Sequence, residues 1–427
     1  MMVSRNSVEE GLHMNPHDLE SSDESDDGIH PTVYSYPRST THPLIDYVKN
    51  EWQTNPKYRD ASKSPSPDRF PTGFQMLASI VTAPRFRRYI IVYLVLLVTC
   101  WLTWKSILAP QMAENAVLSK SLDTKTKERV GGWYGTNALP KFTDIVHMRT
   151  LDPSLLPGDE RLGAGDRNRR RLIIVGDVHG CKDELDQLME KVAFSPANGD
   201  HLIFTGDMIN KGPQSLAVVD FARQHYASCV RGNHEDRILL LRQQMKDSNT
   251  LARPDELDKD TITSANYVER KLAKQLNDDE ADWLEACPVI LKLGQIKDMG
   301  QAVVVHGGLV PGVELERQDP SSVMNMRTID LDTHVPSPSR DGMPWTKIFN
   351  KYSSLLYSEI KRTVPNAKSR MMTVIYGHDA ASGLTIKKYT KGLDSGCVKG
   401  GKLTAMVIED GGKQRTVSVK CPNYLEG

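Results

Sequence analysis

The sequence predicts an α/β fold for its second half. After residue 170, five short runs of apolar and mostly β-branched residues recur, and stretches with a helical pattern separate them. The runs cover residues 172–175, 201–205, 229–230, 302–305 and 373–376. Each run is followed at once by a cluster of Asp, His or Asn residues, so we expect the functional site in the loops at the strand ends.

Composition excludes several classes of protein. The 427 residues carry 54 Lys and Arg against 54 Asp and Glu, so net charge gives no reason to expect a nucleic-acid partner. With 39% hydrophobic residues, 25% charged residues and six Cys, the chain is not a multi-spanning membrane protein, a disulfide-stapled miniprotein or a wholly disordered chain. A globular body with additional segments remains.

Residues 1–84 are predicted to form a disordered tail. They contain an acidic serine cluster over residues 18–27 and a Pro-rich run over residues 63–68, and they show no sustained apolar period. Such a segment cannot bury enough apolar surface to offset the entropy of ordering it. The acidic cluster is either a solvated spacer or a phosphorylation or sorting signal.

Residues 85–109 are predicted to be a transmembrane signal anchor. Sixteen uncharged residues, 89–104, have aromatic side chains at both ends, and Lys105 directly after them can extend to the interface. Three Arg residues precede this span, so the positive-inside rule places the N-terminus in the cytoplasm. A buried core helix is the alternative interpretation. Residues 110–169, with weak helix signals and several turn signals, are predicted to be a stalk and lead-in to a catalytic domain over residues 170–427.

Five motifs follow the predicted strands in register. They are Gly176-Asp177-Val178-His179-Gly180, Gly206-Asp207 with Lys211-Gly212, Gly232-Asn233-His234-Glu235, His306-Gly307-Gly308 and Gly377-His378-Asp379. Singly, such residues are more often caps or core residues than ligands. Together they offer nitrogen and oxygen ligands that suit Zn, Mn or Fe, and six ligands exceed the three or four that one catalytic metal takes from protein. We therefore expect two divalent metals that share a carboxylate.

With these motifs, residues 170–408 resemble the calcineurin-like metallophosphoesterases, and within them the phosphoprotein-phosphatase superfamily. Residues 206–213 and the late run 392–405 are similar to the diadenosine-tetraphosphatase-like branch of that family. With its tail and anchor, the whole chain resembles the fungal vacuolar polyphosphate hydrolases of the family. The resemblance implies a β-sandwich flanked by helices.

The resemblance also implies a role for each motif. The first metal would be held by Asp177 and His179, the second by Asn233, His306 and His378, and Asp207 would bridge the two. Zinc is the favoured metal, with Co, Mn or Mg as alternatives. A bridging carboxylate holds two cations close enough to bind one phosphoryl group and activate a shared hydroxide. His234, beside a ligand but not expected to coordinate, would donate a proton to the leaving oxygen.

Three cations are expected to bind substrate phosphate: Lys211, Arg231 and Arg327. For the two arginines, a surface salt bridge is the alternative interpretation. The chain departs from the protein phosphatases at Asn210-Lys211, where those enzymes have Asp-Arg. Lys cannot bind two oxygens bidentately, and Asn210 removes the carboxylate expected to orient His234.

Cysteines and charge add two further expectations. The six Cys residues lack CxxC spacing, so no zinc-finger or redox motif is present, and a Cys397–Cys421 bridge is left open. Residues 361–420 hold twelve Lys or Arg against four acids, a net charge of +8 around His378. That region is either a surface for a polyanion or a solvated basic face.

The sequence therefore predicts a metal-dependent enzyme that uses a metal-activated hydroxide to cleave internal phosphoanhydride bonds of inorganic polyphosphate. A Ser/Thr protein phosphatase, a dinucleoside polyphosphate hydrolase and a catalytically inactive membrane receptor are the alternatives. From the resemblance, we expect a vacuolar membrane location with the catalytic domain in the lumen. Polyphosphate and the membrane are the expected partners; no nucleic acid is expected and no protein partner is inferred.

Overall fold

The computed structural model describes residues 84–129, 145–158, 170–251 and 264–425. All but the last residue of the predicted tail lies outside these ranges, so its disorder stays a prediction. Helices in the described residues are α1 Pro84–Thr103, α2 Ala109–Ser121, α3 Thr124–Arg129, α4 Lys182–Val192, α5 Ser215–Gln224, α6 Asn233–Asp247, α7 Ser264–Gln275, α8 Asp278–Glu285, α9 Pro320–Asn325 and α10 Trp345–Ile360. A π-helical turn, Trp104–Leu108, joins α1 to α2.

Strands account for most of the remaining regular structure. They are β1 Met148–Thr150, β2 Arg171–Val175, β3 Asp200–Phe204, β4 Ser228–Cys229, β5 Ile290–Ile296, β6 Gly300–Val305, β7 Thr328–Ile329, β8 Pro336–Ser337, β9 Met343–Pro344, β10 Met372–Tyr376, β11 Thr385–Ile386, β12 Thr390–Gly392, β13 Lys402–Glu409 and β14 Lys413–Lys420. Four of the five predicted runs overlap a central strand, and the fifth overlaps the short strand β4.

Two mixed sheets stack face to face. One has the strand order β1-β5-β6-β10-β12-β11 and the other β14-β13-β2-β3-β4, and a small third sheet has the order β8-β7-β9. The neighbours β2, β3 and β4 run parallel, as do β6 and β10. The predicted α/β sandwich flanked by helices is confirmed.

Alternating side chains along each central strand fill two different cores. In β2, Leu172 and Ile174 point between the sheets, where they pack with residues such as Ile375 from the opposite sheet. Ile173 and Val175 point outward and pack beneath the helices that cover this sheet. All of these side chains are fully buried. A strand that is buried on both faces has a continuous apolar sequence, and for this reason these strands could be predicted from the sequence.

Described parts of the predicted stalk and lead-in, residues 110–129 and 145–158, contact the domain that follows them. Helix α2 packs Leu118 into the core cluster that also contains residues of α10, and its Glu114 forms an ion pair with Lys347 at 2.6 Å. Strand β1 pairs parallel with β5, with Met148 opposite Ile290. The domain therefore recruits segments that precede residue 170. A strand of three residues is too short to show a period in the sequence, so it could not be predicted.

One helical stretch in the described part of the chain is long and apolar enough to cross a membrane. It runs from Phe86 to Ser121 with a mean hydropathy of 1.9 in its most apolar window. Apart from half-buried Ile90, the large apolar side chains from Tyr89 to Leu108 are exposed. These properties agree with the predicted span by length and composition alone.

Two disulfides tie the unit formed by residues 97–427 together. Cys397 is bonded to Cys421, the bridge that the sequence left open, and Cys229 is bonded to Cys287, which the sequence did not predict. Cys100 and Cys181 are free. Cys229 and Cys287 lie 58 residues apart and become neighbours only through the fold, so no spacing motif could have revealed them.

We expect that the unfolded but unreduced chain exposes two reactive thiols, Cys100 and Cys181, and that reduction raises the number to six. The measurement is mass spectrometry after alkylation in denaturant, with and without a reductant. Labelling of Cys229 or Cys287 before reduction would contradict the bridge between them.

Candidate metal centre

The predicted ligands lie in loops at the carboxyl ends of five strands. Asp177 follows β2 and Asp207 follows β3, while the chain leaving β4 enters α6 at Asn233. His306 and His378 follow the parallel strands β6 and β10 of the other sheet. Because the carboxyl ends of parallel strands meet at one edge, the two sheets bring these loops together. His179, Asp207, Asn233 and His378 line a cavity of about 360 Å³, whereas Asp177 and His306 are not among its lining residues.

Asp207 lies at the centre of the cluster. One carboxylate oxygen is 3.2 Å from Nε2 of His306, and the other is 3.6 Å from Nε2 of His179. Two groups of residues could each hold a metal ion, His179–Asp207–His234 and Asp207–His306–His378, and they share Asp207. This is the arrangement that a bridging carboxylate requires.

The two late histidines present lone pairs to the same point. Nδ1 of His306 donates to the Thr205 carbonyl at 2.8 Å, and Nε2 of His378 donates to the Asn325 carbonyl at 2.9 Å. Their other nitrogens, Nε2 of His306 and Nδ1 of His378, lie 3.2 Å apart. With their remaining nitrogens bonded in this way, both rings can direct a lone pair at a cation placed between them. Carbonyl bonds of this kind orient metal-bound histidines.

His179 is arranged in the same way. Its Nδ1 lies 3.3 Å from the Ile209 carbonyl, which leaves Nε2 facing Asp207 and the ammonium of Lys211 at 3.1 Å. Burial lowers the pKa of His179 to about 3 and that of His378 to about 2. Both rings are therefore neutral near pH 7, which is the form that binds a metal.

Asp177 shares its site with a carboxylate that the sequence analysis did not select, Asp394. The backbone N–H of His378 donates to Asp177 at 3.0 Å, and the Asp177 and Asp394 side chains are hydrogen-bonded to each other. Burial, followed by the charges of Asp394 and Asp207, raises the pKa of Asp177 well above its usual range. Three buried carboxylates facing one another fit divalent cations, which offset that cost. Asp394 belongs to the late run 392–405, so its signal was present in the sequence.

Close approach explains the glycine beside His378. A Cβ atom on Gly377 would overlap the Asp177 carboxylate. The Gly-His pair therefore places one ligand directly against another, and only Gly leaves room for that contact.

Glu235 holds the Asp207 loop from behind. Its side chain is fully buried and accepts hydrogen bonds from the backbone N–H groups of Asp207, Met208, Ile209 and Gly232 at 2.7–3.2 Å. Burial, followed by the charge of Asp207, raises the pKa of Glu235 to about 7. The sequence analysis gave Glu235 no role, although it ends the Gly232–Glu235 motif. It positions the loop that carries the shared ligand.

Asn210 orients His234 despite lacking a carboxylate. The Asn210 side-chain oxygen accepts from the Lys211 N–H at 2.8 Å, so its amide nitrogen faces Nδ1 of His234, also at 2.8 Å. An amide donor at Nδ1 places the proton of neutral His234 on Nε2, which lies 3.9 Å from Asp207. Burial lowers the pKa of His234 to about 4. His234 thus presents an N–H toward the cavity.

Four cationic side chains line the cavity, and only two of them were predicted. They are Lys211, Arg327, Arg340 and Lys399. Arg327 donates to the carbonyls of Pro338 and His378 and forms no ion pair with any described residue. Arg231 is not among the residues that line the cavity; it is buried, and its Nε lies 3.0 Å from the half-buried Asp236 carboxylate. The phosphate-binding role predicted for Arg231 stays a prediction, and its contact with Asp236 corresponds to the alternative interpretation, an ion pair.

Several residues of the site have left-handed backbone conformations. Of the non-glycine residues with positive φ in the described ranges, five belong to the site loops: His179, Asp207, Asn210, Lys211 and His378. Such conformations cost free energy and persist where the surrounding structure imposes them.

Comparison with known proteins agrees with this geometry. The family model described as calcineurin-like phosphoesterase matches residues 170–406, more than half of the chain. The zinc-dependent endopolyphosphatase of Saccharomyces cerevisiae is 29% identical over 262 residues, which cover 56% of this chain and 76% of the relative. A symmetrical bis(5'-nucleosyl)-tetraphosphatase of Janthinobacterium sp. (strain Marseille) is 28% identical over 290 residues, covering 58% and 96%.

Solved structures of similar proteins include the crystal structure of a proposed diadenosine tetraphosphatase. It is 28% identical, with a TM-score of 0.45, and the match covers 65% of this chain and 99% of that one.

We expect Asp207→Asn to abolish metal binding at both positions, since the amide keeps the shape but loses the charge that both groups share. The measurement is zinc content by elemental mass spectrometry after dialysis, with folding checked by circular dichroism. Asp186→Asn, which alters an exposed ion pair with Lys182, is the matched control and should keep its metal. A folded Asp207→Asn protein with full zinc content would refute the shared site.

Proposed function

Because the chain belongs to the calcineurin-like phosphoesterase family, we propose that it is a two-metal phosphohydrolase that cleaves internal phosphoanhydride bonds of inorganic polyphosphate. One observation carries the proposal. A single cavity combines the histidine and carboxylate cluster with four cationic side chains, Lys211, Arg327, Arg340 and Lys399. A substrate bound there meets metal ligands and positive charge together, as a chain of phosphates requires.

Two divalent ions would be held by the residues around Asp207. In this proposal, Asp177 and His179 would hold one ion and Asn233, His306 and His378 the other. Oδ1 of Asn233 is 3.0 Å from Nε2 of His306. Asp394 would add a carboxylate beside Asp177. When bound, such ions supply Lewis acidity to a phosphoryl group and lower the pKa of a water molecule. Zinc is favoured, since this donor set suits it and the endopolyphosphatase relative is named for it.

The side chains of the protein have separate tasks in this proposal. Arg327 has no competing carboxylate within ion-pair distance among the described residues, so its guanidinium is available to bind phosphoryl oxygens bidentately. Lys211 and Lys399 add point charges. His234 directs Nε2 into the cavity, where its imidazolium form would donate a proton to the leaving oxygen and its neutral form would donate a hydrogen bond to that oxygen. A polyphosphate leaving group is already a weak base, so this donation matters less than it would for an alcohol.

A dinucleoside polyphosphate is the second candidate substrate, because relatives with that activity in their names match the same region. Such a substrate carries bases that proteins commonly stack on aromatic rings. Among the described residues that line the metal-centre cavity there is no Phe, Tyr or Trp. This absence favours polyphosphate. The Asn210-Lys211 pair, which lacks the bidentate arginine, disfavours a phosphoprotein substrate.

The location follows from two separate features of the chain. The apolar helix and the Arg residues before it favour a single span with a cytoplasmic N-terminus. Both disulfides lie after the span, and disulfides form in oxidising compartments. We therefore place the catalytic domain in an organelle lumen and take the vacuole from the resemblance. Reduced Cys229 and Cys287 in protein isolated under thiol-blocking conditions would remove the support for a lumenal domain.

The activity is tested on the purified full-length chain in detergent. Long-chain polyphosphate, diadenosine tetraphosphate and a phosphopeptide are each incubated with Zn, Co, Mn or Mg, and polyphosphate products are resolved by gel electrophoresis. We expect zinc-supported shortening of polyphosphate through intermediate lengths, with slower cleavage at higher salt because the cationic cavity is screened. Polyphosphate that stays full length with every metal would overturn the proposal. Release of single phosphates without intermediates would show cleavage from the ends.

We expect His234→Ala to lower kcat by about a hundredfold, the low end of the usual contribution of a general acid because the leaving group is a weak base, while zinc content is retained. The measurements are steady-state kinetics and elemental mass spectrometry on the same sample. An unchanged kcat with zinc retained would contradict the proton-donor role. If zinc is lost together with activity, His234 is a ligand in the group it forms with His179 and Asp207.

A further inference from the structure

A second cavity adjoins the metal-centre cavity beyond Arg327 and Arg340. It has a volume of about 270 Å³, and these two arginines are the only described residues that line both cavities. The rest of its wall comes from the start of α10 and from the loop that connects β10 to β11 and β12. Nothing in the chemistry described so far uses this space.

Positive charge dominates the second cavity. Lys347 and Lys387 line it together with Arg327 and Arg340. Among the described residues that line it, the single carboxylate is Asp379, which forms an ion pair with Arg340. The four cations and one acid leave an excess of positive charge facing the cavity. A solvated surface would spread such charges apart, whereas here they share one concave wall.

Two aromatic side chains, Trp345 and Tyr376, also contribute to the wall of the second cavity. Both are almost fully buried, and their rings pack edge to face against each other with centroids 5.0 Å apart. Neither ring therefore offers an open face on which a base could stack. The groups that remain for a ligand in this cavity are its cations.

Lys387 has no acidic partner within ion-pair distance among the described residues. Its half-buried ammonium group donates to the Thr346 hydroxyl at 3.1 Å. Lys347 forms its ion pair with Glu114, which lies outside the lining of this cavity. Burial and then the charge of Lys347 lower the pKa of Lys387. The fold therefore holds two ammonium groups near each other, and an anion in the cavity would relieve their repulsion.

We propose that the second cavity binds the phosphates of a polyphosphate chain that lie beyond the bond being cleaved. This inference rests on the proposed function. An internal bond has phosphates on both sides, so an enzyme that cuts it needs anion-binding surface on both sides of the metal centre. Lys211 and Lys399 line the metal-centre cavity, and Arg327 and Arg340 lead from that cavity to Lys347 and Lys387.

Arg340 links the two cavities in this proposal. About half of its side chain is exposed, and its ion pair with Asp379 holds the guanidinium at the boundary between the two cavities. A chain that passes from one cavity to the other would run along this arginine. Substrates with a single phosphate would occupy the metal centre without reaching the two lysines.

The test compares two double variants with the same net charge. Lys347→Gln/Lys387→Gln removes both lysines of the second cavity. The control is Lys351→Gln/Lys388→Gln. Lys351 lies one turn after Lys347 on α10 and Lys388 directly follows Lys387, and neither lines the second cavity. For each full-length protein, kcat/KM is measured on long-chain polyphosphate and on p-nitrophenyl phosphate. The value compared is kcat/KM on polyphosphate divided by kcat/KM on p-nitrophenyl phosphate. We expect this ratio to fall about tenfold or more in the first variant, mainly because KM for polyphosphate rises. In the second variant it should stay within about twofold of the wild type.

Equal falls in both variants would show a general field effect and overturn the cavity assignment, as would an unchanged ratio in the first variant. Failure of the proposed function gives a different pattern, in which the wild type leaves polyphosphate intact. In that case, equilibrium binding of polyphosphate is measured by calorimetry in an Asp207→Asn background. Weaker polyphosphate binding in Lys347→Gln/Lys387→Gln, with unchanged binding in Lys351→Gln/Lys388→Gln, supports the second cavity. Unchanged binding in both double variants overturns the proposal.

Discussion

The metal centre depends on one buried carboxylate that would touch no metal. Glu235 accepts four backbone N–H groups, three from the turn that carries Asp207 and one from Gly232 before Asn233. It thereby joins the loop after β3 to the loop after β4, and these loops carry Asp207 and Asn233, the proposed shared ligand and a proposed ligand of the second metal. A buried carboxylate is tolerated when it is fully hydrogen-bonded, and here those bonds also fix backbone direction. The other ligands, such as His306, are positioned relative to this anchored turn.

The sequence predicted the central strands and the ligand motifs because both are local. Runs such as 172–175 are buried on two faces, and Asp177 or His306 follows its strand within two residues. It could not predict what depends on distant partners. Strand β1 needs β5, and Cys229 needs Cys287. Arg340 reaches the site from the loop between the short strands β8 and β9, and this loop carries no sequence motif. Asp394 belongs to the late run 392–405, but no motif within that run marked it as a site residue.

Both disulfides lie next to loops of the site. Cys229 ends β4 directly before the segment that leads to Asn233, and Cys397 is followed by Val398 and Lys399 in the cavity wall. Each bridge therefore connects a functional loop to a segment distant in sequence. A disulfide limits how far the ends of such a loop can separate. The loop therefore gains less conformational freedom if the contacts around it break than it would without the bridge. In this chain, the same two bonds also support an oxidising compartment for the catalytic domain.

The left-handed conformations of His179, Asp207 and His378 have a consequence for how this site is maintained. At these positions glycine would relax the backbone, and each such conformation costs about 1–3 kcal/mol in a residue with a side chain. Replacement of one of these ligands by glycine would therefore remove local backbone strain, but it would also remove a group needed to bind metal. Selection for stability alone would erode the site, so the strained ligands persist only while the chain is selected for its chemistry.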